Sequence, residues 1–395
     1  MGKAIFEFLQ VAIDNRGSLS VDIDDSEWLS LFNFCKRQAL IGIGFTAVEK
    51  LHANGVVCPI QLRMKWMALA LQIEKKNALL NEQCKKLTEQ YGYDGLATCI
   101  LKGQGNCLNY PEELRYRRQC GDIDVWAAPL PPGGGWCNGA EKGAVIEYVM
   151  VQHRFMGNSK KTLLNYHHIE APKMEGTEVE VHFRASFLYS PFRNWKLQRW
   201  LNAHTDECMK NMTFYGFAMP TASVNVIYQL THMYKHHIGG GLGLRHLMDY
   251  YYALCVWHND VMECRDLQTQ GMWSEGLGTS VMSSAEVSSV ISSFGMIKFT
   301  AAIMYVLREV FAMPAHYYIC EPNEKEGKKL LAEIMNSGNF GHYDVEKPNV
   351  YQHRLQYHIW KFKRIFRLAM SYPEEAMWEP VFRGWRRMMK LVNDY

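Results

Sequence analysis

The sequence predicts an α+β protein in which a small mixed β-sheet lies between two helical regions. Apolar residues recur every three or four positions before about residue 95 and again after about residue 190, as in amphipathic helices. Short apolar runs and loop-forming segments lie between them, as in a compact unit of strands and helices. We therefore expect an N-terminal helical region (1–95), an α/β core (96–190) and a C-terminal helical domain (191–395).

Two long segments carry the helical pattern of the N-terminal region. They are LSLFNFCKRQALIGIGFTAVEKL and QLRMKWMALALQIEKKNALLNEQCKKLTEQYG, in which charged residues separate the apolar ones. Gly92 is the last residue of the second segment and Gly95 follows it, and glycine commonly ends a helix. We therefore expect the second helix to end there.

The central region begins with LATCILKG (96–103), a short apolar run that predicts a strand. GDIDVWAA predicts a second strand, and PLPPGGGW predicts the loop that ends it. Residues 140–156 carry a helical pattern. TLLNYHHIEAPKM and TEVEVHFRASFL then flank Glu175-Gly176, which predicts a β-hairpin.

The region after residue 190 is again mostly helical in pattern. The long periodic segments are VNVIYQLTHMYKHH, GLRHLMDYYYALCVW and SVISSFGMIKFTAAIMYVLREVF. GLGTSVMSSAEVSS is rich in small residues and predicts a loop, and NEKEGKKLLAEIMNSG predicts a charged helix that ends at Gly338.

Composition and charge limit the functional classes. The 395 residues are 48% hydrophobic and 21% charged, which is typical of a folded protein, and the net charge of +3 does not favour DNA as a partner. None of the eleven cysteines forms a CxxC pair, and Glu7 interrupts the first apolar run. Uncharged stretches stay shorter than the roughly 20 residues that span a bilayer. We expect a cytoplasmic protein with no transmembrane segment.

The chemically informative feature is a pair of aspartates on the second predicted strand. Asp122 and Asp124 share one face because strand side chains alternate, and two like charges there repel each other. A divalent cation relieves this repulsion, and Mg²⁺ prefers oxygen ligands. TEVEVHF supplies a third carboxylate, for which we favour Glu180 over Glu178 because it lies mid-strand. These three acids could hold two metal ions roughly 4 Å apart.

A phosphate-binding segment accompanies the acids. ILKGQGN places Lys102 and Gly103 after a strand, where backbone amides and a helix N-terminus favour an anion. Arg115, Arg117 and Arg118 precede the aspartates and could bind phosphate oxygens. The competing interpretation is a solvent-facing aspartate pair bound to Arg117 and Arg118.

LKGQGNCLNYP, RRQCGDIDVW and VEVHFR together resemble a bacterial, mostly uncharacterised nucleotidyltransferase family of the polymerase beta-like nucleotidyltransferase superfamily. The usual Gly-Ser or Gly-Gly turn is here Gly103-Gln104. The helical segment LTHMYKHHIGGGLGLRHLMDYY and the GNFG at 338–341 look similar to further family elements. The motif positions that this resemblance identifies are Lys102, Gly103, Arg118, Asp122, Asp124, Glu180, His182, His232, His236, Arg245 and Asp249.

The resemblance implies transfer of a nucleoside monophosphate from an NTP such as ATP to an acceptor hydroxyl, with release of pyrophosphate. It implies two Mg²⁺ ions, for which Mn²⁺ could substitute, held by the catalytic acids Asp122, Asp124 and Glu180. Lys102, Gly103, Arg118, His182 and Arg245 are then expected to bind the nucleotide. The acceptor, whether protein, RNA or small molecule, stays unidentified. A metal-dependent phosphohydrolase and a non-catalytic nucleotide-binding or interaction protein are the alternatives.

Three further features have structural interpretations that we favour. His232 and His236 lie four residues apart without the glutamate of a zinc protease motif, so we expect them to line a packed helix or cleft. Arg245 and Asp249 have the spacing of an ion pair within one helix. Residues 351–395 mix basic and aromatic residues. RNA or membrane binding is open, but we expect Trp360, Phe362, Phe366 and Trp385 to pack inward with arginines outward.

Overall fold

The computed structural model describes residues 2–130, 142–156, 164–269, 281–344, 347–348 and 353–392. It confirms the α+β class, with a small mixed sheet among many helices. None of the described helices is both long and apolar enough to cross a membrane. Residues 131–136 of the predicted PLPPGGGW loop lie outside the described residues.

The N-terminal region is helical, as predicted. A capping box begins the second helix, in which the Asp24 side chain accepts from the Glu27 amide (2.8 Å) and the Glu27 side chain accepts from the Asp24 amide (3.1 Å). The last helix ends at Tyr93, and Gly95 turns the chain into the sheet with φ +84°. The helices are α1 (Gly2–Ala12), α2 (Asp25–Gln38), α3 (Ile41–Ala53) and α4 (Ile60–Tyr93).

The described part of the sheet has four strands in the order β1-β2-β4-β3. Strands β2 and β4 run parallel, whereas β1–β2 and β3–β4 pair antiparallel. Glu175 and Gly176, both with positive φ, form the predicted hairpin turn. The elements of this region are β1 (Leu96–Ile100), α5 (Gln104–Cys107), α6 (Glu112–Arg115), β2 (Ile123–Pro129), α7 (Lys142–Phe155), β3 (His168–Met174) and β4 (Thr177–His182).

The two faces of the sheet have opposite character. Ile123, Val125, Val179 and Val181 belong to an apolar core that includes residues of α4 and α7. The other face carries Asp124, Glu180 and His182 on β2 and β4, and these side chains contact one another. Burying one face against helices therefore directs the acids to the opposite side of the sheet.

The C-terminal region is a set of helices that shares one apolar core with α1–α3. Its α-helices are α8 (Pro191–Ala203), α9 (Thr205–Lys210), α10 (Ala222–Gly239), α11 (Leu244–Thr269), α12 (Ser284–Ser293), α13 (Ile297–Phe311), α14 (Glu324–Ser337), α15 (Arg354–Ala369) and α16 (Pro373–Val392). Short 3₁₀ turns lie at Ala315–Tyr317 and Asn339–Gly341. Gly338 ends α14, as predicted.

Two expectations for this region are wrong. The predicted GLGTSVMSSAEVSS loop is helical from Ser284, because Ser283 and Glu286 form a capping box; residues 276–280 lie outside the described residues. In α15 and α16, Phe362, Phe366 and Trp385 are exposed instead of packed inward, whereas Lys361 and Arg364 are buried. Pairing with Glu379 and Glu333 makes the burial of these two cations tolerable.

A buried ion pair links α11 to the loop before β2. Arg118 donates through Nε and Nη2 to the two oxygens of Asp249, each at 2.6 Å, and the Tyr110 hydroxyl donates to the same carboxylate at 2.7 Å. Asp249 thus pairs with Arg118 across the fold, where the sequence predicted a pair with Arg245 within the helix. This contact positions the loop that leads to Asp122.

We predict that Asp249→Asn lowers the free energy of unfolding by about 3–5 kcal/mol, because it leaves the Arg118 guanidinium buried without its counter-ion. Urea denaturation followed by circular dichroism measures this change. Glu324→Gln, which breaks an exposed pair with Lys328, is the control and should change stability by about 0.5 kcal/mol or less. Equal effects of the two substitutions would contradict the prediction.

Candidate active site

A tight glycine turn follows β1 at one side of the site. Gly103 has φ +60°, a conformation that side-chain-bearing residues rarely adopt. A Cβ at Gly105 would lie 2.4 Å from the Ile100 carbonyl oxygen, so this position also requires glycine. The Gln104 side chain donates to the Asn77 carbonyl at 3.0 Å and to Asn81 Oδ1 at 2.6 Å. It thereby fastens the turn to α4.

The Lys102 side chain extends from this turn to Asp124. Its Nζ lies 2.8 Å from Asp124 Oδ1, and the backbone amide of Leu101 donates to the Asp124 carbonyl at 2.9 Å. Burial acts to lower the pKa of Lys102, but the charges of Asp124, Asp122 and Glu180 outweigh it and raise that pKa. Lys102 is therefore a fixed cation beside the carboxylates.

The parallel pairing of β2 and β4 places Asp124 directly beside Glu180. His182 Nε2 lies 3.0 Å from Asp124 Oδ1 and 3.5 Å from Glu180 Oε2. The three residues offer ligand atoms that all lie within 4.8 Å of one another, which makes them a candidate metal site. The exposed Glu178 pairs with Lys173 at 2.9 Å instead.

Electrostatics in this group follows from its burial and its close contacts. Burial acts to raise the pKa of Asp124, but Lys102 and His182 hold it far below its usual range. Burial acts to lower the pKa of His182, and hydrogen bonds to Asp124 and Glu180 raise it. Asp124 is thus an ionised carboxylate whose charge is already balanced, so a divalent cation has to compete with Lys102 for its oxygen.

Asp122 lies apart from this compact group. Strand β2 begins at Ile123, so Asp122 precedes the strand and is half-buried where it lines the cleft. The negative charge of Asp124, followed by partial burial, raises the pKa of Asp122. Asp122 is therefore within electrostatic reach of Asp124 and is the more exposed aspartate.

Two histidines at the start of β3 extend the site beyond Glu180: His167 directly precedes the strand and His168 is its first residue. His168 Nδ1 lies 3.3 Å from Glu180 Oε2, and His167, His168 and His182 form a second compact group of possible metal ligands. Burial lowers the pKa of His168 to about 3. It also lowers the pKa of Lys235, whose Nζ lies 3.4 Å from His167 Nε2, to about 7. In the sequence, the adjacent pair His167-His168 is the feature that could have indicated these additional possible ligands.

A cleft of about 600 Å³, its open mouth included, lies over the glycine turn and the aspartates. Its walls come from the α/β core, from α10 and α11, and from the 3₁₀ turn at Asn339–Gly341. The sequence-predicted residues in its lining are Lys102, Gly103, Arg118, Asp122, Asp124, His232, Arg245 and Asp249. Lining residues that the sequence did not identify include Asn106, Tyr228, Gln229 and His246.

The arginines before β2 separate into different roles. Arg117 pairs with Glu49 and Glu74, and Arg115 donates to the Tyr110 carbonyl at 3.0 Å; neither lines the cleft, so their prediction as phosphate ligands is wrong. Arg118 lines the cleft, but two of its nitrogens bind Asp249. The alternative pairing of the aspartates with Arg117 and Arg118 is also wrong, because both arginines use other carboxylates.

Arg245 and Phe340 form the wall of the cleft opposite the turn. Arg245 donates to the Gln119 carbonyl at 2.8 Å, and its buried Nε has no partner among the described residues. Its guanidinium lies 5.5 Å from the Phe340 ring centre. Phe340 belongs to the GNFG segment and has φ +54°, a costly conformation for a phenylalanine. This wall therefore offers an aromatic ring and a cation to the cleft.

His232 and His236 lie on α10 with their Nε2 atoms 3.0 Å apart. Within the described chain they belong to no group of three close metal ligands. His232 lines the cleft, and the His236 ring packs 5.0 Å from the Phe340 ring. Their role in the structure is therefore to shape the cleft wall.

A glycine turn, neighbouring carboxylates and a cleft lined by both cations and carboxylates are the parts expected of a nucleotidyltransferase. Residues 24–270 match the model of a family described as uncharacterised nucleotidyltransferase. The match covers more than half of the chain, and the protein belongs to this family. No curated protein and no solved structure showed a significant match.

We predict that Glu180→Gln weakens Mn²⁺ binding by at least about tenfold, because it removes a charged ligand from a compact group. Isothermal titration calorimetry measures the dissociation constant. Glu178→Gln is the matched control on the same strand and should bind Mn²⁺ like the parent. Undiminished binding by Glu180→Gln would remove this residue from the site.

Proposed function

We propose that this protein transfers a nucleoside monophosphate from an NTP to an acceptor hydroxyl and releases pyrophosphate. The observation that supports it most is the pairing of β2 with β4, which holds Asp124 and Glu180 side by side next to the glycine turn. Phosphates bound at Lys102 and Gly103 would lie next to these acids. The family match supports nucleotidyltransferase chemistry at the same place.

The carboxylates fit a divalent metal of the Mg²⁺ or Mn²⁺ type, since their oxygens are the ligands such hard cations prefer. Asp122, Asp124 and Glu180 would hold it, and His182 would orient Asp124 and Glu180 through its short contacts to both. A bound metal pair supplies activation of the attacking oxygen and neutralisation of the leaving group.

Residues of the chain would bind the triphosphate and accept the proton of the acceptor hydroxyl. Lys102, the backbone at Gly103 and Arg245 would bind the triphosphate oxygens, since each lines the cleft. Glu180, adjacent to Asp124 and only partly exposed, would accept the proton of the acceptor hydroxyl as that oxygen attacks the α-phosphate. The α-phosphate then loses its bond to pyrophosphate, so the transfer balances without a further reactant.

Phe340 is the proposed platform for the nucleobase. Its ring lines the cleft below the Arg245 guanidinium and against the His246 ring, at 4.5 Å between centroids. Stacking on a phenylalanine accepts any base, because every base has an aromatic face. We therefore expect weak preference among the four NTPs from this contact alone.

Asp124→Asn should lower nucleotidyl transfer by about 100-fold or more, because it removes the charge at the centre of the site. The protein is incubated with Mg²⁺, cell extract and each α-³²P-labelled NTP in turn. The label that arrives on acceptors is measured, and the unlabelled pyrophosphate that is released is measured separately. Asp122→Asn should also lose transfer, and Glu178→Gln should retain it.

The same assay separates the alternatives. Labelled monophosphate without labelled acceptor would show a phosphohydrolase, in which water replaces the hydroxyl. Nucleotide binding with neither product would show a binding protein on the same scaffold. Transfer that survives in both aspartate variants would contradict the proposed mechanism.

Phe340→Ala should raise the KM for NTP by about tenfold while changing kcat little, since stacking on an aromatic side chain contributes about 1–3 kcal/mol per base. Initial rates at varied NTP concentration give both constants. Tyr343→Ala, which alters a nearby aromatic residue outside the cleft lining, should leave the KM unchanged. Equal KM values for Phe340→Ala and the parent would show that the base does not stack on Phe340.

A further inference from the structure

The hairpin of α15 and α16 presents two rows of apolar residues to solvent. On α15, Leu355, Ile359, Phe362 and Phe366 recur at three- and four-residue spacing, and Met370 continues the row directly after the helix. These side chains are 47–74% exposed. Such spacing places them on one face of the helix. The face is a continuous apolar stripe.

Helix α16 carries a matching stripe. Met377, Val381, Trp385 and Met388 also recur at three- and four-residue spacing and are 41–68% exposed. We call these two rows together the hairpin face. Isolated exposed apolar residues are common on proteins, but two such rows on helices that pack against each other indicate an interaction surface.

The inner side of the hairpin combines buried apolar residues, such as Ile365 and Leu368, with buried ion pairs. Lys361 Nζ lies 3.3 Å from Glu379 Oε1, and Arg364 Nη2 lies 2.7 Å from Glu333 Oε1 on α14. Arg364 also donates to the His237 carbonyl, and Phe382 stacks on Phe187 at 5.0 Å. These buried contacts attach the hairpin to the body and leave the hairpin face largely exposed among the described residues, with Trp385 also packing on Tyr166 at 5.8 Å between ring centres.

The exposed charges of the hairpin are positive. Lys363, Arg367 and Arg387 are exposed beside the stripes. The hairpin's described glutamates are engaged inward: Glu374 pairs with Arg193, and Glu375 accepts from the Tyr189 and Ser190 amides. Glu379 pairs with Lys361, so the exposed charge is cationic.

We propose that the hairpin face docks on an anionic lipid bilayer, with its apolar side chains inserted at the head-group boundary and its cations on lipid phosphates. Amphipathic helices with large apolar residues and flanking Lys and Arg bind membranes in this way. Charge disfavours a second copy as the occupant, because a face-to-face dimer brings the cations of both copies together. An anionic bilayer suits both kinds of side chain, because its interior accepts the apolar residues and its head groups attract the cations.

Vesicle sedimentation of the full chain tests this proposal without nucleotide, so its outcome is separate from that of the transfer assay. The parent should bind vesicles of phosphatidylcholine mixed with phosphatidylglycerol more tightly than phosphatidylcholine vesicles, and added salt should weaken that binding. The double variant Phe362→Gln, Phe366→Gln should bind at least about tenfold more weakly, because it removes two inserted rings. Phe155→Gln, Phe214→Gln removes two exposed phenylalanines outside the hairpin and should bind like the parent.

A charge variant tests the second half of the proposal. Lys363→Glu, Arg367→Glu should lower binding to the anionic vesicles by about tenfold or more and leave the circular dichroism spectrum unchanged. Sedimentation velocity tests the competing occupant. Absence of parent binding to anionic vesicles, or equal binding of both double phenylalanine variants, would overturn the proposal. So would a parent dimer that the Phe362 and Phe366 substitutions dissolve, since the face would then join two copies.

Discussion

The pairing of β2 with β4 is the contact on which the site depends. It places the buried Asp124 against the partly exposed Glu180 on a single face of the sheet, and two neighbouring carboxylates repel each other. Lys102 and His182 touch Asp124 at 2.8 and 3.0 Å and offset that repulsion. The glycine turn is needed for the same reason, because it brings Lys102 back over the strand that carries Asp124. The strand order, the glycine turn and the charge balance around Asp124 therefore depend on one another.

The helical regions complete the cleft that the sheet begins. The turn and the aspartates occupy one side, and α10, α11 and the Asn339–Gly341 turn form the other. Arg118 links the two sides through its bidentate pair with Asp249, so the loop before β2 is held by a helix more than a hundred residues later. A nucleotide bound in the cleft would contact both regions. We infer that the α/β core alone would not form the complete site.

The outer surface of the hairpin is rich in apolar side chains, whereas the cleft is lined largely by charged and polar residues. Hairpin helices α15 and α16 bury apolar residues such as Ile365, Leu368 and Ala376 in the core and in addition expose two apolar rows, so apolar residues occupy both of their sides. The buried side also holds Lys361 and Arg364, for which Glu379 and Glu333 supply the counter-ions. The proposed bilayer contact and the proposed transfer chemistry thus use separate sets of residues on one chain.

Local patterns in the sequence determined the strands, the hairpin at Glu175-Gly176, the glycine turn and the shared face of Glu180 and His182, because strand alternation and turn chemistry act within a few residues. Tertiary structure decided which partners the long side chains took. Arg118 bound Asp249, Arg117 bound Glu49 and Glu74, and Phe340 came to the cleft from a distant turn. It also decided which face of α15 was buried. Periodicity defines the faces of a helix, but the apolar core and the counter-ions that neighbouring elements offer select the face that packs inward.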